Sequence, residues 1–380
     1  MGRPHPALLA LVTDQALPAV DDLQQMVLSA WEHRMGGLLW SRVAAQELTV
    51  PDDLLMKLQE EDVRTWARHE VLWSTLEQAV ALLAEVGIEC AVFKGVAVEH
   101  RWYRRRGDRP CWDLDLVLAP HDVHRFGDAL EALQPGHPLA PHATRLVGRH
   151  YLRAIPLRHQ GIPIDLHADP IKLGPPLRHP EAIWDHTEEL VTPQGMTART
   201  LDREASLFQT LVHVGRDRFR YLLGLSDVVR IVGSDEVDWA AVEELALGEG
   251  ILDPIAVAAG AVADELGLPP YPLAGGGWRG RLWQRLWRPH IRLQGDLGMV
   301  RYVRRAQWLL PLTARDRFGE AARWFLRSLF PPSELVDAKH HRRKGPYLWR
   351  LLSGRLAVMT TRRLAALRSQ RAARRRPTDE

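Results

Sequence analysis

Three acidic residues lie in segments that alternate apolar and polar side chains. Asp113 and Asp115 belong to the run Trp112–Leu118, and Asp165 belongs to the run Ile164–His167. In a β-strand, residues two apart point to the same face, so Asp113 and Asp115 project together. Paired carboxylates repel unless a cation neutralises them, and Mg²⁺ prefers carboxylate oxygen. The pattern predicts a metal pair; a solvent-exposed edge strand is the alternative interpretation.

Asp165 extends this hypothesis to a third carboxylate. Three acidic groups from two neighbouring strands can hold two Mg²⁺ ions, one that aligns a triphosphate and one that activates an acceptor oxygen. Asp165 would then be a metal ligand, or the general base for the attacking hydroxyl. A cap at the end of a strand is the simpler interpretation of this residue.

The tripeptide Phe93-Lys94-Gly95 ends an apolar run and opens a helical pattern. Glycine lets a ligand approach the backbone, and a helix N-terminus offers N–H groups to an anion. The chain has only five lysines among its 50 basic residues, and the ammonium of Lys94 is well suited to a phosphate. The pattern predicts a phosphate-binding turn; an ordinary strand-to-helix turn is the alternative.

Arg109 lies four residues before Asp113, at the end of a basic loop. It is near enough to contact a β- or γ-phosphate, or to pair with a carboxylate, and both roles stay open. The other basic residues of the loop are predicted to be solvated and to attract anions; they are Arg101, Arg104, Arg105 and Arg106.

Short strands and helices must position these residues. Strands are predicted at Gly87–Phe93, Trp112–Leu118, His150–Leu157 and Ile162–His167, the last two joined as a hairpin. Helices are predicted between them at Val96–Tyr103 and His121–Leu133. Helical periodicity also covers Asp21–Trp40 and Pro51–Val86 before this segment, and residues 202–268 after it.

The ordered motifs resemble a known family. They are Phe93-Lys-Gly95, Arg109-Pro-Cys-Trp-Asp-Leu-Asp-Leu-Val117 and Ile164-Asp-Leu-His167, followed by Leu211-Val-His213 and Leu225-Ser-Asp-Val-Val229. Together they resemble the uncharacterised nucleotidyltransferase family of the DNA polymerase β-like superfamily, from about residue 60 to Leu268. The wider superfamily has Gly-Ser where this chain has Gly95-Val96, so Lys94 is interpreted as replacing the hydroxyl that contacts phosphate.

The resemblance implies an α+β fold, in which a small mixed β-sheet with flanking helices is followed by helical domains. It implies that Asp113 and Asp115 are the metal pair, that Asp165 is the third carboxylate, and that Lys94 and Gly95 bind phosphate. The implied reaction transfers a nucleoside monophosphate from an NTP, with ATP expected, to a hydroxyl of a small molecule, peptide or protein, with release of pyrophosphate. An RNA-directed transferase and a non-catalytic binding or scaffold protein on the same fold are the alternatives.

Charge divides the chain at a linker rich in proline and glycine. Residues 277–380 hold 25 Lys+Arg and 7 Asp+Glu, a net charge of +18, which leaves −15 on the preceding 276 residues. The predicted organisation is an N-terminal helical segment (1–60), a catalytic core (61–200), a helical domain (201–268), a linker (269–277) and a basic helical region (278–380). Arginine interleaved with tryptophan in the last region fits binding to RNA, binding to an anionic membrane surface, or a helical domain that docks on the acidic front.

Cysteine usage and hydropathy limit the cellular context. Cys90 and Cys111 form neither a zinc set nor a disulfide framework, and the histidines lack the spacing of a zinc site. The N-terminus does not have the pattern of a signal peptide. No window of 18 apolar residues exists, which excludes a transmembrane span on length. A cytoplasmic location is therefore predicted.

Overall fold

The computed structural model describes residues 4–171, 175–216, 221–273, 278, 280–282, 316, 318–329, 332 and 335. The chain divides into two compact units, Met1–Leu326 and Arg327–Glu380. Most of the predicted basic region at 278–380 lies outside the described residues. Among the residues that are described, no helix combines the length and the apolar composition that a membrane span requires.

Four helices precede the sheet: α1 (Ala7–Val12), α2 (Leu23–Glu32), α3 (Gly36–Ala44) and α4 (Asp52–Glu85). The helix predicted from Asp21 to Trp40 is in fact two helices, because the chain turns at Arg34, whose φ is +63°. The side chain of Asp22 caps α2 by accepting a hydrogen bond from the Gln25 backbone N–H at 2.8 Å.

A mixed sheet of six strands forms the centre of the first unit. The strands are β1 (Cys90–Phe93), β2 (Leu114–Leu118), β3 (Ala154–His159), β4 (Ile162–His167), β5 (Thr187–Val191) and β6 (Thr197–Leu201), and their spatial order is β3-β4-β2-β1-β6-β5. β1 pairs with β6 and β2 with β4 in parallel, whereas the other neighbours are antiparallel. The predicted α+β class with a small mixed sheet is confirmed.

Helices connect the strands. α5 (Gly95–Trp102) lies between β1 and β2, and α8 (Pro180–Asp185) lies between β4 and β5. A 3-10 helix (Pro120–Arg125), α6 (Phe126–Leu133) and α7 (Ala140–Gly148) lie between β2 and β3. The strand predicted from His150 begins only at Ala154, because His150 has a φ of +60° at the end of α7. β2 likewise begins at Leu114, two residues later than predicted.

The hairpin of β5 and β6 is an addition to the predicted strands. Its turn contains Gly195, whose φ is +92°. β6 extends the sheet beside β1, and the Thr200 hydroxyl donates a hydrogen bond to the Val92 carbonyl oxygen at 2.8 Å. The sheet is therefore wider than the sequence pattern alone indicated.

Helical structure resumes after the sheet, as predicted, with α9 (Arg203–Arg216), α10 (Leu222–Ser234), α11 (Trp239–Gly248) and α12 (Leu252–Leu266), and a further helix is α13 (Phe318–Leu329). Buried residues of α9, α10 and α12 share one hydrophobic core with α1–α3 and with β1. The helices that precede the sheet in the sequence and those that follow it thus pack in the same core as β1. The domain boundaries given above stay a prediction.

Candidate active site

The carboxylates of β2 and β4 lie side by side. The two strands run parallel, and Asp115 is the register partner of Asp165. Leu114 and Leu116, whose side chains alternate with that of Asp115, are fully buried. Pairing of the two strands therefore brings together acidic residues from distant parts of the sequence.

Asp113 lies one residue before β2 and is exposed. Protein around the inner side of its carboxyl partly desolvates the group, and the negative charges of Asp115 and Asp165 add to this effect, so the pKa of Asp113 is raised. The positive charges of Lys94 and Arg109 lower the same pKa, but by less. All three predicted carboxylates thus belong to one electrostatic cluster with an excess of negative charge.

His167 belongs to the same cluster, although the sequence argument did not select it. Its Nε2 lies 2.8 Å from Oδ1 of Asp115 and 4.0 Å from Oδ2 of Asp165. The imidazole is fully buried and packs edge-on against Phe93, with the ring centroids 4.9 Å apart. The spacing contained the signal, because Asp165 and His167 are two apart on β4 and share a face.

Lys94 occupies the turn between β1 and α5. Its backbone has φ +57° and ψ −149°, a region that residues with a side chain rarely adopt, and Gly95 follows with φ +26°. Such strain is found most often where a site requires a particular geometry. The ammonium Nζ lies 3.2 Å from Oδ1 of Asp115 and 4.5 Å from the centre of the Phe93 ring. Lys94 therefore neutralises part of the acidic cluster directly.

The donor atoms fit a divalent cation. Asp115, Asp165 and His167 each offer one ligand atom, and these atoms all lie within 4.8 Å of one another. The carboxylate oxygens suit Mg²⁺, whereas the imidazole nitrogen is a donor that first-row transition metals also accept. Burial is the largest cause of the raised pKa of Asp113, and the negative charges of Asp115 and Asp165 add to it. A bound divalent cation would offset the negative charge of these carboxylates.

Arg109 forms a buried ion pair. Its Nε and Nη2 donate to the two carboxylate oxygens of Asp227 on α10, at 2.8 and 2.9 Å, and the Tyr103 hydroxyl donates to the same carboxylate at 2.7 Å. Burial alone would lower the pKa of Arg109, but the charge of Asp227 outweighs burial and the net pKa is raised. Of the two roles considered for Arg109, the structure has the ion pair; contact with phosphate stays a prediction.

A second buried contact holds the loop between α5 and β2. Glu99 accepts a hydrogen bond from the Gly107 backbone N–H at 2.9 Å, and His69 Nδ1 of α4 lies 3.5 Å from the same carboxylate. Burial lowers the pKa of His69, but contacts with Cys111 and Glu99 outweigh it and raise the pKa to about 9. The loop that leads to Asp113 is therefore attached to α4, α5 and α10.

A family model described as uncharacterised nucleotidyltransferase matches residues 21–265. The match includes all six strands, the acidic cluster and the strand-to-helix turn at Lys94. The search of curated proteins finds no match. The search of solved structures finds none either.

Proposed function

The chain belongs to the uncharacterised nucleotidyltransferase family, and we propose that it is a Mg²⁺-dependent enzyme that transfers a nucleoside monophosphate from an NTP. The acceptor we propose is a hydroxyl of a small molecule, peptide or protein, and pyrophosphate is the second product. Family membership and the acidic cluster support nucleotidyl transfer as the general reaction. The observation that carries the proposal is the parallel register that pairs Asp115 with Asp165.

We assign the metal-binding role to Asp113, Asp115 and Asp165. Bound Mg²⁺ would supply charge neutralisation for the phosphates and activation of the acceptor hydroxyl. Asp165 is 31% exposed, more than Asp115 at 13%, so its carboxylate is the more accessible of the two for taking the hydroxyl proton. His167, through its contact with Asp115, would orient that carboxylate.

Lys94 and Gly95 are the proposed phosphate-binding turn. The ammonium of Lys94 already lies at the acidic cluster, where it can pair with a phosphate oxygen. Gly95 gives the turn its unusual backbone, with φ +26°, and a Cβ atom there would lie 3.6 Å from the carbonyl oxygen of Asp113. Arg109 stays a proposed phosphate contact. Its Nε and Nη2 donate to Asp227, whereas its Nη1 lies 3.4 Å from Sγ of Cys111.

The proposal also covers the nucleotide, the cellular location and the partner of the basic region. We propose ATP as the nucleotide and the cytoplasm as the location. For the net charge of +18 after residue 276 we propose docking on the acidic front half of the chain, with RNA or an anionic membrane surface as the alternative partners; this charge falls mainly on residues outside the described part of the chain. RNA-directed transfer and a non-catalytic scaffold role stay the alternative proposals.

The test is labelling of an acceptor. The full chain is incubated with each α-labelled NTP, Mg²⁺ and a cell extract, and labelled products are identified by mass spectrometry. Label on a small molecule or protein supports the proposal, whereas label on RNA supports the RNA-directed alternative. No label with any of the four NTPs, together with no binding of Mg²⁺–NTP, supports the scaffold alternative.

A further inference from the structure

The structure contains a cavity of about 420 Å³, a volume within the range of small-molecule sites. One of its lining residues, Trp112, directly precedes Asp113 in the sequence. The residues that line it are Trp31, Glu32, Arg34, Glu61, Pro110, Trp112 and Tyr221. None of the metal-binding carboxylates is among them, so the cavity needs an explanation of its own.

Two of its aromatic rings are held by one cation. The guanidinium of Arg34 lies 4.7 Å from the centre of the Trp112 ring and 4.1 Å from the centre of the Tyr221 ring. Cation–π attraction to both rings helps to hold them in place. Trp112 is nevertheless 42% exposed, so part of the indole surface stays open. The cavity thus presents a preorganised aromatic surface.

The charges of the lining select among ligands. Glu32 and Glu61 repel phosphates, so a triphosphate would not enter the cavity. The guanidinium of Arg34 contacts both rings and repels a second cation. A neutral, planar group that carries N–H donors satisfies both constraints, since it can stack on an aromatic ring and donate to a carboxylate.

The carboxylate of Glu61 lies beside Gly36, at the start of α3. A Cβ atom at Gly36 would lie 3.0 Å from Oε1 of Glu61, tighter than most real contacts. Glycine at the start of α3 therefore allows the carboxylate to lie where it does. A carboxylate that is placed in this way can read the edge of a ring stacked nearby.

We propose that this cavity binds the nucleobase of the NTP, stacked on Trp112 with its N–H groups directed to Glu32 or Glu61. This inference rests on the proposed function. Two of the lining residues, Pro110 and Trp112, belong to the segment that leads directly into Asp113, so the cavity is connected to the acidic cluster by this short stretch of chain. The neutral base and the anionic triphosphate would then occupy separate subsites of opposite electrostatic character.

The test compares ligands with and without a base. Equilibrium binding of non-hydrolysable α,β-methylene NTP analogues and of inorganic tripolyphosphate is measured calorimetrically with Mg²⁺ on the full chain. The variants are Trp112→Ala, Trp112→Phe, and Trp66→Ala as a matched control, since Trp66 is 50% exposed on α4 and does not line the cavity. Thermal melting of each variant verifies folding.

We expect Trp112→Ala to weaken binding of the NTP analogues by roughly 5- to 150-fold, the range that base–aromatic stacking carries. Tripolyphosphate binding should stay unchanged, Trp112→Phe should restore most of the affinity, and Trp66→Ala should bind like the unmodified chain. Equal affinities of Trp112→Ala and the unmodified chain for the NTP analogues would overturn the inference and leave the proposed function intact. An equal loss for tripolyphosphate would overturn it as well. Binding of neither ligand to the unmodified chain would overturn the proposed function itself.

Discussion

Replacing Asp227 with asparagine tests whether a buried ion pair anchors the loop that leads to Asp113, one of the proposed metal ligands. The Arg109 and Asp227 side chains are only 13% and 7% exposed, and two hydrogen bonds join them. The variant keeps the size of the side chain but leaves the guanidinium of Arg109 buried without its counter-charge. Arg109 is four residues from Asp113, and its positive charge lowers the pKa of that carboxyl, so the pair also affects the acidic cluster.

Loss of one partner of a buried, hydrogen-bonded ion pair costs about 3–5 kcal/mol. Asparagine retains one acceptor oxygen for Arg109 or for the Tyr103 hydroxyl, so we expect Asp227→Asn to lower the free energy of unfolding by about 3 kcal/mol. Urea unfolding of the full chain measures this difference. The double variant Arg109→Met/Asp227→Asn should recover at least about 1–2 kcal/mol, because it removes the unpaired charge.

The matched control is Asp235→Asn, which breaks the pair between Asp235 and Arg203 at the surface. Asp235 is 71% exposed, so its loss should cost less than about 1 kcal/mol. An effect of Asp227→Asn no larger than that of the control would refute the reasoning. Equal stability of the double variant and the single Asp227→Asn variant would also refute it.

Three further predictions follow from the site. Asp113→Asn should abolish pyrophosphate release, because it removes a proposed metal ligand. Thermal stability should stay equal or rise, since the substitution removes a charge that Asp115 and Asp165 repel. Full turnover of the variant would contradict the metal assignment. His167→Gln should weaken Mn²⁺ binding by roughly 10- to 100-fold in paramagnetic resonance titrations, because the imidazole contacts Asp115; unchanged binding would exclude this role. His69 has a folded-state pKa of about 9, above its ordinary 6.5, so the folded state binds the proton more tightly than the unfolded state. The stability that this protonation contributes is complete below pH 6.5 and is lost as pH rises through 9. Urea unfolding should show a smaller decline over this range in His69→Gln, and an identical decline would contradict the assigned pKa.

The spacing of residues along the chain predicted several features of the candidate site. Period-two alternation predicted a common face for Asp113 and Asp115, but β2 begins only at Leu114, so Asp113 lies just outside the strand. The strand-to-helix turn at Lys94 was predicted from a glycine after an apolar run, and the structure has it. The same rule applies to Asp165 and His167, but a lone histidine in a strand is usually an ordinary core residue. Only the parallel register of β2 and β4 shows that its ring meets Asp115.

Long-range partners were beyond the reach of sequence patterns. Arg109 and Asp227 are 118 positions apart, so no local spacing could distinguish their ion pair from a phosphate contact. The hairpin of β5 and β6 was missed for a different reason. β5 is an edge strand with exposed charged residues at Glu188 and Glu189, and such strands lack the apolar alternation that marks half-buried ones. Its turn at Gly195 was the available signal.

The position of the transferred label tests nucleotidyl transfer most directly. The full chain is incubated with Mg²⁺, cell extract and NTP labelled either at the α- or at the γ-phosphorus. Our account predicts that only the α-label is found on the acceptor, that the γ-label leaves in pyrophosphate, and that neither occurs with Asp115→Asn. Label from the γ-phosphorus on the acceptor would show phosphoryl transfer instead and would contradict the account.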